Sequence, residues 1–189
     1  MPLTFGNWRK DLQISLMIIK ALQFAAEKHR GQLRKGNLKT PYINHPIKVA
    51  FVLQTIGKVT DENILAAALL HDVVEDTDAT HTDLVHLFNT KIADIVIEIS
   101  DEKGLDSEVR KRLQVQDAPN LSYEAKIIRI ADKLCNIQDI CGMDAPNWDY
   151  ERKFDYLEWA ENVVNQIKGT HEALETSFFD EHRWGRLKL

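Results

Sequence analysis

The 189-residue sequence predicts an all-α fold, a single helical bundle. Three observations lead there. Apolar residues recur mostly at helical spacing, convincing period-two runs are absent, and prolines and capping residues cut the chain into helix-length pieces. The length suits one domain with a full core. No internal repeat, low-complexity tract or Ser/Gly linker interrupts it, so residues 1–189 read as one domain.

The first helix is expected from about Lys10 to His29, with Leu12, Leu16, Ile19 and Leu22 as much of its apolar stripe. Gly31 and Gly36 bracket a basic polar loop, GQLRKGN. In PYINHP, Pro41 and Pro46 disfavour helix propagation before each ring. A helix should follow, carrying Ile47, Val49, Ala50, Val52 and Leu53 and stopping near Gly57. Thr60 or Asp61 can cap the next one, which contains ILAAALL and runs directly into HDVVED. It is apolar on most sides and so belongs at the centre of the bundle. Thr80 caps a short helix through Phe88, and another spans about Lys91 to Ile99. After the charged loop SDEKGLD comes a helix holding Arg110, Lys111 and Arg112, ended by Pro119. Ser122 caps a helix through about Ile140. Pro146 and Asn147 precede the last long helix, marked by Trp148, Phe154, Trp159, Val163 and Ile167. Thr170 should start a short C-terminal helix.

Apolar residues make up 44% of the chain and charged residues 28%, ordinary for a globular protein. The net charge of −5 argues against a general nucleic-acid binder. A phosphorylated small molecule stays compatible, because a bound cation and a local basic patch reverse the local field. The N-terminus lacks the apolar core of a signal peptide. The longest apolar run, Ile64 to Leu70, is far below the ~18 residues of a membrane span. Cys135 and Cys141 form neither a disulfide framework nor a CxxC pair. These features predict a cytoplasmic protein without a membrane partner.

The chemistry centres on LLHDVVEDTD, where an apolar helix ends in five acidic or imidazole groups within eight residues. Burying such groups is costly unless they are paired, protonated or bound to a cation. On a continuous helix His71 and Glu75 share one face, as do Asp72 and Asp76. His71 and Asp72 would then meet a metal, with Glu75 and Asp76 one turn beyond. The alternative is an acidic helix end exposed to water. Asp132 sits among Ile127, Ile128, Ile130, Leu134 and Ile137, with Asn136 on the same face. Its partner is either a metal or a basic neighbour such as Arg129 or Lys133. His45, in the stiff PYINHP segment, reads by itself as a core or surface histidine more readily than as a ligand. Together the two histidines and two aspartates make a nitrogen and oxygen set suited to manganese, iron or zinc rather than calcium. Open positions on such a metal fit hydrolysis, and Glu75 and Asp76 would orient or deprotonate the water.

The order His, His-Asp and a distant Asp resembles the HD phosphohydrolase superfamily. More closely, RKGNLKTPYINHPIKVA, ALLHDVVEDT, KRLQVQDAP and EAKIIRIADKLCNI resemble the hydrolase domain of RelA/SpoT enzymes, which remove pyrophosphate from the 3′ position of the alarmones (p)ppGpp. WDYERKFDYLEWAENVV resembles small stand-alone members of that group, metazoan SpoT-like ones among them. The resemblance spans roughly residues 18 to 175. It implies a single HD domain that hydrolyses alarmones of the stringent response, with manganese bound by His45, His71, Asp72 and Asp132. It further implies water activation by Glu75 and Asp76. Arg34 and Lys35 would lie near the substrate's phosphates or base, Asn136 near the ribose and metal, and Arg152 and Tyr156 toward the distal phosphates. Ser107, Glu108 and Gln138 depart from the more basic pattern of relatives. Two other functions remain open at this point. One is the same metal chemistry on another nucleotide, such as NADPH or a nucleoside monophosphate. The other is a non-catalytic alarmone-binding protein, which would have no need of Glu75 and Asp76.

Overall fold

In the computed structural model residues 8–143 and 145–189 are described, those before residue 16 by their backbone alone. The helices are α1 (Trp8–Lys28), α2 (Asn44–Thr55), α3 (Glu62–Leu70), α4 (Val73–Asp76), α5 (His81–Leu87), α6 (Thr90–Ile99), α7 (Ser107–Asp117), α8 (Tyr123–Cys141), α9 (Tyr150–Gln166) and α10 (Glu172–Lys188). A 3₁₀ turn, Ala118–Asn120, follows α7. Among the described residues β pairing is confined to an isolated bridge between Leu33 and Pro41. The fold is all-α, as the apolar periodicity predicts.

Helix starts follow the capping chemistry. Asp61 rather than Thr60 caps α3, accepting a hydrogen bond from the Asn63 N–H. Thr80 and Asp83 form a reciprocal capping box on α5, and Ser122 caps α8. Each such cap contributes about 1 kcal/mol.

Helix α3 is the centre of the bundle. Every residue from Ile64 to Leu70 is buried, and the helix packs against α1, α2 and α6. Its three alanines let those helices approach closely, while Leu70, fully buried, adds about 1.5–3 kcal/mol. Helix α8 is the second pillar, packed against α2, α6, α9 and α10. It buries Arg129, Asp132 and Lys133 along with its isoleucines, which is unusual for charged groups without partners.

Several local expectations are corrected. Leu16 and Ile19 are exposed, at 68% and 56%. The buried face of α1 is instead set by Ala21 and Ala25, with Met17, Ile18, Leu22 and Phe24 packed at its edges. Small residues won that face because α1 lies close on α3. The Leu12 side chain falls outside the described residues. Helix α2 begins at Asn44, before Pro46. A first-turn proline costs little there, since its missing N–H has no acceptor within the helix. Ile47 is 41% exposed. The expected continuous helix through HDVVED is broken: α3 ends at Leu70, and a turn at His71 and Asp72 leads into the short α4. The C-terminal helix is 17 residues long, not short, and His171 rather than Thr170 caps it.

Candidate active site

Three elements deliver the central cluster. His45 comes from the first turn of α2, His71 and Asp72 from the turn between α3 and α4, and Asp132 from the middle of α8. Packing of α2 on both α3 and α8 brings them together. Donor atoms of His45, His71 and Asp72 lie within 4.8 Å of one another. Asp132 Oδ1 adjoins them, 3.0 Å from His45 Nε2 and 3.9 Å from His71 Nε2.

The ring of His71 is oriented by its Nδ1, which lies 2.8 Å from the Ala68 carbonyl oxygen. Nδ1 therefore carries the proton that donates to that carbonyl. Nε2 faces the carboxylates, is buried, and has no hydrogen bond aligned on it, although Asp72 Oδ2 is 2.9 Å away. A buried imidazole nitrogen beside two carboxylates fits a divalent cation in chemistry as well as spacing.

The same crowding governs the titration of these groups. Burial lowers the His71 pKa, but the Asp72 carboxylate outweighs it and holds the imidazole up to about 9. For His45 burial prevails over its hydrogen bond to Asp132, so its pKa falls and the ring stays neutral. Burial pushes Asp72 and Asp132 up. The charge of His71 more than reverses this for Asp72, and that of Lys133 does so for Asp132, so both carboxylates end below the usual range.

Further side chains hold these groups, among them Asn136, expected from the sequence near the metal, and Tyr42, which was not singled out. Tyr42 donates its hydroxyl to Asp72 Oδ2 at 2.6 Å. Asn136 donates to Asp132 Oδ1 at 2.6 Å and Lys133 to Asp132 Oδ2 at 3.0 Å. The basic-neighbour alternative for Asp132 is thus realised by Lys133, on the other carboxylate oxygen from the one facing the histidines. Lys133 is itself buried, 4.3 Å from the centre of the Trp159 ring. Tyr42 left a signal in PYINHP, three residues before His45; the Lys133 contact was visible only as adjacency.

Glu75 and Asp76 line the same cavity. Glu75 Oε1 accepts from Arg110 Nη1 at 2.9 Å, and Oε2 accepts from the Asp101 backbone N–H at 3.0 Å. Burial raises the pKa of both acids, and the nearby Asp72 charge raises Asp76 further.

The cavity has a volume of about 540 Å³, in the range of small-molecule sites. Arg34, Lys35, Asn136, Arg152 and Tyr156 all line it. Arg34 donates to Asn136 Oδ1 at 2.8 Å and to Asp139 Oδ2 at 2.7 Å. Lys48 bonds the other oxygen of Asp139 at 2.7 Å. Neither Lys48 nor Asp139 stood out in the sequence, because a lysine on an amphipathic helix usually faces water. Arg152 lies 4.3 Å from the Trp148 ring centre. Tyr156 is flanked by Trp148 and Trp159, with ring centroids 6.1 and 5.1 Å away. The cavity thus joins a carboxylate and imidazole cluster, two acids of raised pKa, and a basic and aromatic wall.

The chain is similar to several known proteins. A family model described as HD domain matches residues 21–155. The chain is 45% identical over 158 residues to a Homo sapiens protein named guanosine-3′,5′-bis(diphosphate) 3′-pyrophosphohydrolase MESH1, covering 84% of this chain and 88% of that one. The protein of that name from Drosophila melanogaster is 45% identical over 161 residues, covering 85% and 90%. A solved structure described as a metazoan ortholog of SpoT that hydrolyses ppGpp and plays a role in starvation responses superposes with a TM-score of 0.86. It is 43% identical and the match covers 92% of this chain and 97% of that one.

Proposed function

The chain belongs to the HD-domain family, and from that membership we propose that it is a metal-dependent hydrolase of (p)ppGpp. It would remove the 3′-pyrophosphate and leave GDP or GTP, as its similarity to the MESH1 proteins suggests. The observation that carries this reading is the clustering of His45, His71, Asp72 and Asp132 beside Glu75 and Asp76 in one cavity with a basic wall. We assign the first four to the metal, with manganese as the native ion and zinc or iron as substitutes. Residues 1–189 act as one domain, and the free cysteines Cys135 and Cys141 favour a cytoplasmic setting. No helix among the described residues is long and apolar enough to cross a membrane.

When bound, the cation supplies Lewis acidity toward a phosphoryl oxygen and acidifies water. The side chains do the rest. Glu75, held by Arg110 and the Asp101 N–H, presents a carboxylate of raised pKa that takes a proton from the attacking water. Asp76, beside it, orients that water. The new bond joins the water oxygen to the phosphorus next to the 3′-oxygen. The bond between that phosphorus and the 3′-oxygen breaks, and the 3′-oxygen leaves with the proton that Glu75 took from the water. Arg34 and Lys35 bind phosphate, Asn136 reaches the ribose while holding Asp132, and Arg152 and Tyr156 face the distal phosphates. Guanidinium groups suit that task through bidentate, charge-assisted bonds.

Purified protein with manganese and ppGpp should release pyrophosphate and leave GDP. A folded, metal-replete sample without turnover would refute the assignment. The same sample tested on NADPH and nucleoside monophosphates should give lower kcat/KM, the ratio that defines discrimination.

A further inference from the structure

Helices α9 and α10 meet at a second cluster that lies outside the catalytic cavity. Glu158 and Glu161 stand three residues apart on α9, and His182 comes from α10. One donor atom from each lies within 4.8 Å of the others. None of the three lines the cavity.

His182 makes this more than a pair of surface acids. It is 4% exposed, and its Nε2 is buried with no hydrogen-bond partner. A buried polar nitrogen left unpaired carries its full desolvation cost. The facing oxygen, Glu161 Oε2, is 3.8 Å away, too far for a hydrogen bond. That separation fits two donors on one ion. Zinc binds histidine nitrogen at ~2.0–2.1 Å and carboxylate oxygen at ~2.0–2.2 Å, which sets such donors roughly 3.4 Å apart at the tetrahedral angle and further at wider angles.

The surroundings suit a dication. Arg186 Nη1 holds Glu158 Oε1 at 2.7 Å and leaves the second oxygen of that carboxylate. Two carboxylates and one guanidinium leave one net negative charge around the imidazole. Phe178 stacks on the His182 ring, with centroids 6.1 Å apart and planes 20° apart, which fixes the direction of its nitrogens.

We propose that Glu158, Glu161 and His182 form a structural site for a first-row divalent cation, zinc by donor type, separate from the catalytic cluster. The ion ties α10 to α9, the helix that carries Arg152, Tyr156 and Trp159 to the cavity wall. The donor set of one imidazole and two carboxylates leaves a fourth position for water.

The test uses the full chain and zinc alone, on an Asp72→Asn background that weakens the catalytic cluster. After equilibrium dialysis against zinc, metal analysis should find one more equivalent per chain in Asp72→Asn than in Asp72→Asn/Glu161→Gln. Zinc should also raise the Tm of the first protein by more than that of the second. Glu161→Gln is isosteric at a half-buried position, so it reports even where His182→Gln fails to fold. Equal zinc content and equal Tm shifts in the two proteins would overturn the proposal.

Discussion

Tyr42 donates its hydroxyl to the same Asp72 oxygen, Oδ2, that lies 2.9 Å from His71 Nε2. One carboxylate oxygen is thus shared between a phenol from the loop before α2 and an imidazole at the end of α3. Burial raises the Tyr42 pKa and the Asp72 charge raises it further, so the phenol stays a donor at any physiological pH. Tyr42→Phe should keep the fold and lower manganese affinity by about 10–100-fold, the usual cost of losing a partner that orients a ligand. Equilibrium dialysis measures this; unchanged affinity would mean that Asp72 is positioned without Tyr42.

Glu75 is held on both oxygens, by Arg110 and by the Asp101 N–H. Glu75→Gln should lower kcat by about 10²–10⁴-fold while manganese content stays the same. Comparable losses of metal and of rate would move Glu75 among the metal ligands.

Burial places the Glu75 pKa above the usual carboxyl range. A base must be deprotonated to act, so activity should fall as pH drops through that raised pKa. The acid limb of the kcat profile should therefore lie above the ordinary glutamate value of ~4.3. Glu75→Gln should remove that limb from whatever activity persists.

Asp72 holds the His71 imidazole up to about 9, so in the metal-free protein the ring is charged at neutral pH. A ligand imidazole must be neutral. Manganese binding near pH 7 should therefore release about one proton, and affinity should rise about tenfold per pH unit until it levels off above pH ~9. Calorimetric titration in two buffers of different ionisation enthalpy counts the proton. Binding without proton release at neutral pH would contradict the His71 assignment.

At Gly185, α10 lies tight against side chains of α8 and α9. A Cβ there would sit 2.8 Å from Cys141 Sγ and 3.1 Å from Leu157 Cδ2. Gly185→Ala should destabilise by about 1–3 kcal/mol through overpacking, seen as a lower midpoint in denaturant. A midpoint equal to that of the unmodified protein would show that α10 shifts without cost.

Much of the molecule was legible in its sequence, through local physics. Periodicity, capping residues and prolines set the helices, because each acts within one or two turns of chain. The density of charge in HDVVED marked the chemistry, because so many acids beside an apolar run need a cation or water. His45 was not marked in this way. A single histidine between prolines carries no local sign of its partners, and its place came from family resemblance until α2 packed on α3 and α8. The face of α1 was misread for the same reason. Leu16 and Ile19 satisfy the helical period, yet contact with α3 selects the alanines.

What the sequence determined by itself was therefore the all-helical class, the capped starts of α5 and α8, and the acidic cluster, since those follow from bonding between near neighbours. Tertiary structure alone decided that Asp72 is shared by Tyr42 and His71, that His45 meets Asp132, and that Arg110 reaches Glu75. Apart from the adjacent His71 and Asp72, those partners are 30 to 87 residues from one another, and only the packing of helices fixes which atoms meet.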